Sequence, residues 1–192
     1  MIRPTLFRTL ACLCLAATLP ASSPAQTIDK LRIAATAEQY VRKAASHDLY
    51  EKDAGALLLK TSRNPAIRTF AQAVMADHAR SAAELRALAT TSGVAINPQL
   101  STIEYREYIG KLTRAVGDAR DAVYLTQHRG VLQRALWMHQ DYAATGDQPA
   151  LKELAARLAL MVQGHITMLD AIPPPPLPVA ATTFGQDVTA PR

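Results

Sequence analysis

From Asn64 to Gly93 the chain reads NPAIRTFAQAVMADHARSAAELRALATTSG, a segment with both ends marked and one face written in apolar residues. Asn64 suits the N-cap, Pro65 suits the first helical position where its missing N–H costs nothing, and Gly93 can close the C-terminus in a left-handed conformation. Between those marks Ile67, Ala71, Val74, His78, Ser81, Leu85 and Leu88 recur at spacings of three and four, which places them on one helix face. A chain containing this segment has to bury that stripe against other helices. It also has to bury the histidine at the middle of the stripe.

The neighbouring segments supply the helices. Thr36 with Gln39 forms a capping-box pattern that predicts a long helix to about Thr61, with a seam of Tyr40, Ala44, His47, Glu51, Ala54 and Leu58. The link Ser62-Arg63-Asn64 is so short that this helix and the next must lie side by side and antiparallel. Asn97-Pro98 marks a loop, and Ser101-x-x-Glu104 opens a helix of about three to four turns whose end is weakened by Gly110 and Gly117. A longer helix follows from about Asp118 to Thr145, where Gly146 stops it. Its inner face carries Asp121, Tyr124, His128, Val131, Leu132, Ala135, His139 and Tyr142, with Trp137 on the opposite side. Asp147 is the expected cap of the last helix, Pro149 falls in its first turn, and Leu151, Leu154, Leu158, Met161, His165, Met168 and Ile172 form its seam. There is no strand pattern, and an aromatic content of 5% is too low for a sandwich or barrel core. These patterns predict an all-α, up-and-down four-helix bundle with one additional short helix over residues 36–172.

The two ends read differently. Arg3 and Arg8 precede a short apolar run, and Ser23-Pro24-Ala25 supplies small residues before a cleavage point near Ala25, so residues 1–25 are read as a signal peptide and 26–35 as a lead-in. The expected location is periplasmic or secreted. Residues 173–192 begin with a run of prolines and carry too little apolar content to fold, which predicts a Pro-rich disordered tail. Cys12 and Cys14 both fall in the leader, so disulfides, thiol catalysis and thiolate metal sites are excluded from the mature chain. Without Arg3 and Arg8 the 21 basic residues become 19 against 16 acids, a formal charge of +3 that is too mild to imply nucleic acid. No stretch after the leader reaches the length of apolar residues that a transmembrane segment requires.

The clue to function is the polar groups on the seams. His78, His128, His139 and His165 lie on predicted inner faces, and the first helix contributes Glu51 with His47 one turn before it. Glu51 and His78 sit at nearly the same distance from the turn at residue 63, about 5 Å apart in height at roughly 1.5 Å rise per residue. One reading makes these residues a transition-metal site for zinc, copper or iron, with His78, His165 and Glu51 as ligands and His128 as the next candidate. Carboxylate-bridged di-metal bundles require Glu-x-x-His pairs. The residues three before His78 and His165 are Met75 and Val162, so that pattern is absent. A second reading makes the histidines a structural cluster, satisfied by Glu51, Tyr124, Tyr142 or backbone, in a periplasmic structural or interaction protein that meets the envelope or another protein through Trp137, Tyr105 and Tyr108 or the proline tail. A metal-dependent oxidoreductase is a third. No nucleophile-and-base constellation is assembled by these spacings, so no catalytic residues are assigned.

The segments YVRKAASHDLYEKDAGALLLKTSRNPAIRTFAQAVMADHARSAAELRALATTSGV, DAVYLTQH, ALWMHQDYAATGDQPALKELA and Gln163-Gly164-His165 resemble the bacterial domain-of-unknown-function family 4142 over about Thr36 to Ile172. The resemblance implies an exported protein with a ferritin-like helical bundle, of a kind often labelled outer-membrane or secreted and without a proven activity. Glu51, Ala76-Asp77-His78, Tyr124 and His165 match the family's features. The chain departs from them at Leu132, where members commonly carry a histidine two turns after the tyrosine, and has His128 a turn earlier.

Overall fold

A computed structural model describes residues 35–96 and 103–173. The expected signal peptide at residues 1–25, the expected capping serine Ser101 and most of the expected Pro-rich tail at residues 173–192 lie outside the described residues. Five helices make up the described chain: α1 (Ala37–Thr61), α2 (Pro65–Thr91), α3 (Ile103–Arg114), α4 (Gly117–Thr145) and α5 (Pro149–Asp170). There is no strand among the described residues.

The helix ends follow from local chemistry. Thr36 Oγ1 accepts from the Gln39 N–H at 3.3 Å while Gln39 Oε1 accepts from the Thr36 N–H at 3.3 Å, so two amides at the start of α1 are satisfied reciprocally. Asn64 Oδ1 accepts from the amides of Ala66 at 2.9 Å and Ile67 at 3.4 Å, with Pro65 opening α2. Past the end of α2, Gly93 takes φ 69°, the left-handed conformation that a side chain disfavours. The start of α5 differs from the sequence expectation. Its N-cap is Gln148, with no side-chain cap, and Asp147 instead accepts a hydrogen bond from the Tyr142 hydroxyl at 3.0 Å. The aspartate is drawn back to α4 because a buried tyrosine hydroxyl one turn away needs an acceptor.

Each long helix lies antiparallel to two others. In α1 and α2, Gly55 faces Ala71 and Met75, and Asp48 faces His78 and Ser81, so the pairing runs outward from the turn at residues 62–64. A Cβ at Gly55 would collide with the Met75 side chain, which explains a glycine inside a helix where it costs about 1 kcal/mol in propensity. Tyr40 meets His139 and Glu51 faces His128, which sets α1 against α4. Asp77 pairs with His165 and Glu84 with Arg157, which sets α2 against α5. The short α3 packs on α1 and α4 and is tied by Arg120 Nε, which donates to the carbonyls of Leu112 at 2.9 Å and Ala115 at 2.8 Å.

The buried residues form two apolar clusters. One gathers Tyr50, Leu58, Ile67, Phe70, Val74, Tyr124, Leu132 and Val162, and the other gathers Tyr40, Val41, Leu85, Tyr142, Leu151, Leu154 and Leu158. Along α1 and α2 the charged and imidazole groups fall between them, at His47, Asp48 and Glu51 and at His78 and Ser81. Trp137 is 58% exposed, as its angular position requires. One seam residue is corrected: Met168 is 39% exposed, whereas Ile166 and Leu169 are buried. The stripe of α5 turns gradually at 100° per residue, and by its last turns it has moved past Met168.

Candidate metal centre

On α1, His47 and Glu51 are one turn apart on the buried stripe, so their side chains point the same way. On α2, His78 occupies the same level, held there by the antiparallel pairing. One donor atom from each of the three lies within 4.8 Å of the other two, and all three residues are fully buried. His47 Nε2 is 3.6 Å from Glu51 Oε1, and the rings of His47 and His78 meet edge to face with centroids 4.8 Å apart.

Each imidazole is fixed through its outer nitrogen. His78 Nδ1 is 2.7 Å from Asp48 Oδ1, which also accepts from Ser81 Oγ at 2.9 Å. A carboxylate on Nδ1 places the proton there and leaves Nε2 with its lone pair free, the second-sphere arrangement that orients a metal-binding histidine. His47 Nδ1 meets the Tyr105 hydroxyl of α3 at 3.4 Å. The inner atoms, His47 Nε2, His78 Nε2 and both Glu51 oxygens, are buried without a hydrogen-bond partner. Four unpartnered polar atoms in one small volume would cost about 1–3 kcal/mol each unless something fills the space between them.

Electrostatics agrees with that picture. Burial, reinforced by Asp48, pushes the Glu51 carboxyl well above its ordinary range. Burial also pushes His47 well below the ordinary imidazole value, with further depression from His78 and the other histidines. Neutral imidazoles are the form that binds metal, and a buried carboxylate becomes tolerable beside a compensating cation. A set of two imidazole nitrogens and one carboxylate oxygen fits zinc, copper, nickel or iron.

Of the residues expected from sequence, Glu51 and His78 come together. His128 lies on the other side of Glu51, with Nε2 at 3.4 Å from Oε2 but not aligned for a hydrogen bond, and burial pushes it down to about 3. It packs among Tyr124, Phe70 and Tyr50. His165 stands next to His78, ring centroids 5.4 Å apart, but its Nε2 is engaged by Asp77 Oδ2 at 2.9 Å, leaving the buried Nδ1 without a partner. His47 takes the third place in the cluster. Spacing puts His47 on the seam but offers no reason to prefer it to His165. Asp48 and Tyr105 carry no sequence signal, since Asp48 lies about 100° off the stripe and Tyr105 belongs to a separate helix. The hydrogen-bond partners expected for a structural cluster also differ. Tyr124 Oη has none, and the histidines use Asp48, Asp77, Tyr40 and Tyr105.

No curated protein matches this chain. Two solved structures share its fold. The crystal structure of a DUF305 fragment from Deinococcus radiodurans is 16% identical with a TM-score of 0.62, covering 70% of this chain and 92% of that one. CopM in the Cu(II)-bound form is 13% identical with a TM-score of 0.62, covering 72% of this chain and 95% of that one. A family model matches residues 21–172, most of the chain, and the chain therefore belongs to the family described as domain of unknown function DUF4142.

Proposed function

We propose that this chain is an exported protein with a ferritin-like four-helix bundle and one added short helix, which binds a transition metal ion in the bundle core. His47, Glu51 and His78 are the ligands, with His128 beside Glu51 and His165 beside His78 able to complete the set. The observation that carries the reading is the convergence of donor atoms within 4.8 Å, fully buried and unpartnered, while the outer nitrogens of both imidazoles are fixed by Asp48 and Tyr105. The four long helices, each antiparallel to two neighbours, support the bundle. Export rests on the leader-like first twenty-five residues.

Among the metals that such a donor set suits, copper is favoured, because CopM, which shares the fold, is known in a Cu(II)-bound form. A bound ion would supply the positive charge that makes a buried carboxylate and neutral imidazoles compatible, and binding is the function proposed. The test is calorimetric titration of zinc, copper and ferrous iron into the wild type and His78→Leu. Binding by the wild type and its loss in the variant are expected. No binding tighter than roughly 100 µM, about −5.5 kcal/mol, would replace the metal centre with a structural histidine cluster.

A further inference from the structure

The two carboxylate oxygens of Glu51 face different imidazoles. Oε1 is 3.6 Å from His47 Nε2, on the side of the centre described above, and Oε2 is 3.4 Å from His128 Nε2 on α4. Neither gap is a hydrogen bond, which brings nitrogen and oxygen to about 2.7–3.2 Å. Both match another geometry. Two metal–ligand bonds of about 2.0–2.2 Å meeting at the tetrahedral angle hold their donor atoms roughly 3.3–3.6 Å apart. Each oxygen of Glu51 therefore stands one metal bite from an imidazole nitrogen.

The His128 side holds donors of its own. His128 and Tyr124 are one turn apart on α4, with ring centroids 4.5 Å apart, and neither is exposed to solvent. Both nitrogens of His128, the Tyr124 hydroxyl and Glu51 Oε2 are buried without a hydrogen-bond partner. Burial first, and the charge of Glu51 second, hold the Tyr124 hydroxyl well above the ordinary phenol range. A bound cation reverses that balance and makes the phenolate a ligand.

We propose that Glu51 bridges two metal positions, the second lying between its Oε2, His128 Nε2 and Tyr124 Oη and taking a divalent transition metal ion. This rests on the metal-centre reading above, in which His47, His78 and Oε1 of Glu51 form the first position. One carboxylate serves the pair, unlike the bundles in which a Glu from each of two helices and a Glu-x-x-His from each of the other two surround the metals. With one imidazole against two, the second position is the weaker by on the order of a hundredfold, since the loss of an outer-sphere partner alone costs about 10–100-fold in affinity. When the ion binds, the Tyr124 O–H bond breaks, its proton passes to the buffer and the oxygen lone pair goes to the metal. No electron changes hands.

The test is titration of the full chain with cupric ion, followed by calorimetry and visible absorption. The wild type is expected to bind in two steps, to two ions per chain, with a phenolate-to-copper charge-transfer band growing in during the second step. His128→Leu keeps the tight step and loses the weak one, whereas His78→Leu loses the tight one. Tyr124→Phe removes only an unpartnered hydroxyl, so it serves as the second variant should His128→Leu lower the thermal midpoint. It is expected to abolish the band and to weaken the second step alone, by roughly tenfold or more. One ion per chain in the wild type at saturation, or two unchanged steps in His128→Leu, overturns the second position and leaves the metal centre standing. A band absent from the wild type, or unchanged in Tyr124→Phe, removes the phenolate and with it the proposed donor set. If the wild type binds no copper, the metal-centre reading itself is wrong and the second position falls with it.

Discussion

Two clusters of buried histidine and tyrosine occupy different levels of the same helices, and they solve the same problem in opposite ways. At one level His139 Nδ1 meets the Tyr40 hydroxyl at 3.0 Å, Tyr40 stacks on Tyr142 with ring centroids 4.0 Å apart, and Tyr142 donates to Asp147. That arrangement ends at the surface with its donors and acceptors matched. Two turns along α1, at His47 and Glu51, the outer atoms are matched and the inner ones are not. A buried histidine is therefore not by itself a sign of function. What separates the two clusters is whether the unpartnered atoms converge.

The contrast can be broken by acid, where the largest effect is expected. Burial holds both His128 and His139 down to about 3, so each is neutral in the folded chain and protonates more readily unfolded. A depressed folded value means that their contribution is complete above about pH 6.5 and is lost as pH falls toward 3, a window over which several kcal/mol are at stake. Glu51, whose carboxyl is raised, works in the opposite sense, favouring the fold at low pH and losing that contribution as pH rises through its folded value. Denaturant midpoints of metal-free protein measured from pH 7.5 to pH 4 should fall steadily, and His139→Leu and His128→Leu should each flatten the decline. A profile that stays flat in Glu51→Gln as well as in the wild type would mean that neither histidine is held neutral by burial, because that variant removes the opposing contribution.

Metal comes next. At a concentration a hundredfold above Kd a bound ion stabilises the fold by about 2.7 kcal/mol. A rise in thermal midpoint on adding copper should therefore appear in the wild type and in Tyr40→Phe, and vanish in His78→Leu. A rise that survives His78→Leu would place binding elsewhere. Without metal, Glu51→Leu should stabilise the protein by about 1–3 kcal/mol, because it replaces two unpartnered buried oxygens with apolar surface. A loss of stability in that variant would show that Glu51 is satisfied in the metal-free protein. Tyr40→Phe, at the other level, should cost about 1 kcal/mol for the lost hydrogen bond to His139. The smallest effect belongs to residues 173–192, which lie beyond the last seam residue, Ile172. Deleting them should leave the thermal midpoint within a few degrees, and a larger drop would mean that this segment packs on the helices.

Much of the fold could be read in the chain itself. The 3.6-residue period determined which face of α1 carries Tyr40, His47, Glu51 and Leu58, and which face of α2 carries Ile67, His78 and Leu85, because burial follows the angle around one helix. Thr36, Asn64 and Gly93 marked helix ends because their side chains or their lack of one act on the nearest few amides. The three-residue link at 62–64 made α1 and α2 antiparallel, and with that the shared level of Glu51 and His78. Only the tertiary structure decided the rest. His165 lies on a seam as His47 does, yet Asp77 turns its Nε2 away, and nothing in α5 alone reports what stands on α2. Asp48 and Tyr105 support the centre from positions that no period singles out. Asp147 left its expected cap for Tyr142. Periodicity is a property of one helix, whereas the pairing of a particular nitrogen with a particular oxygen depends on the relative height and rotation of two.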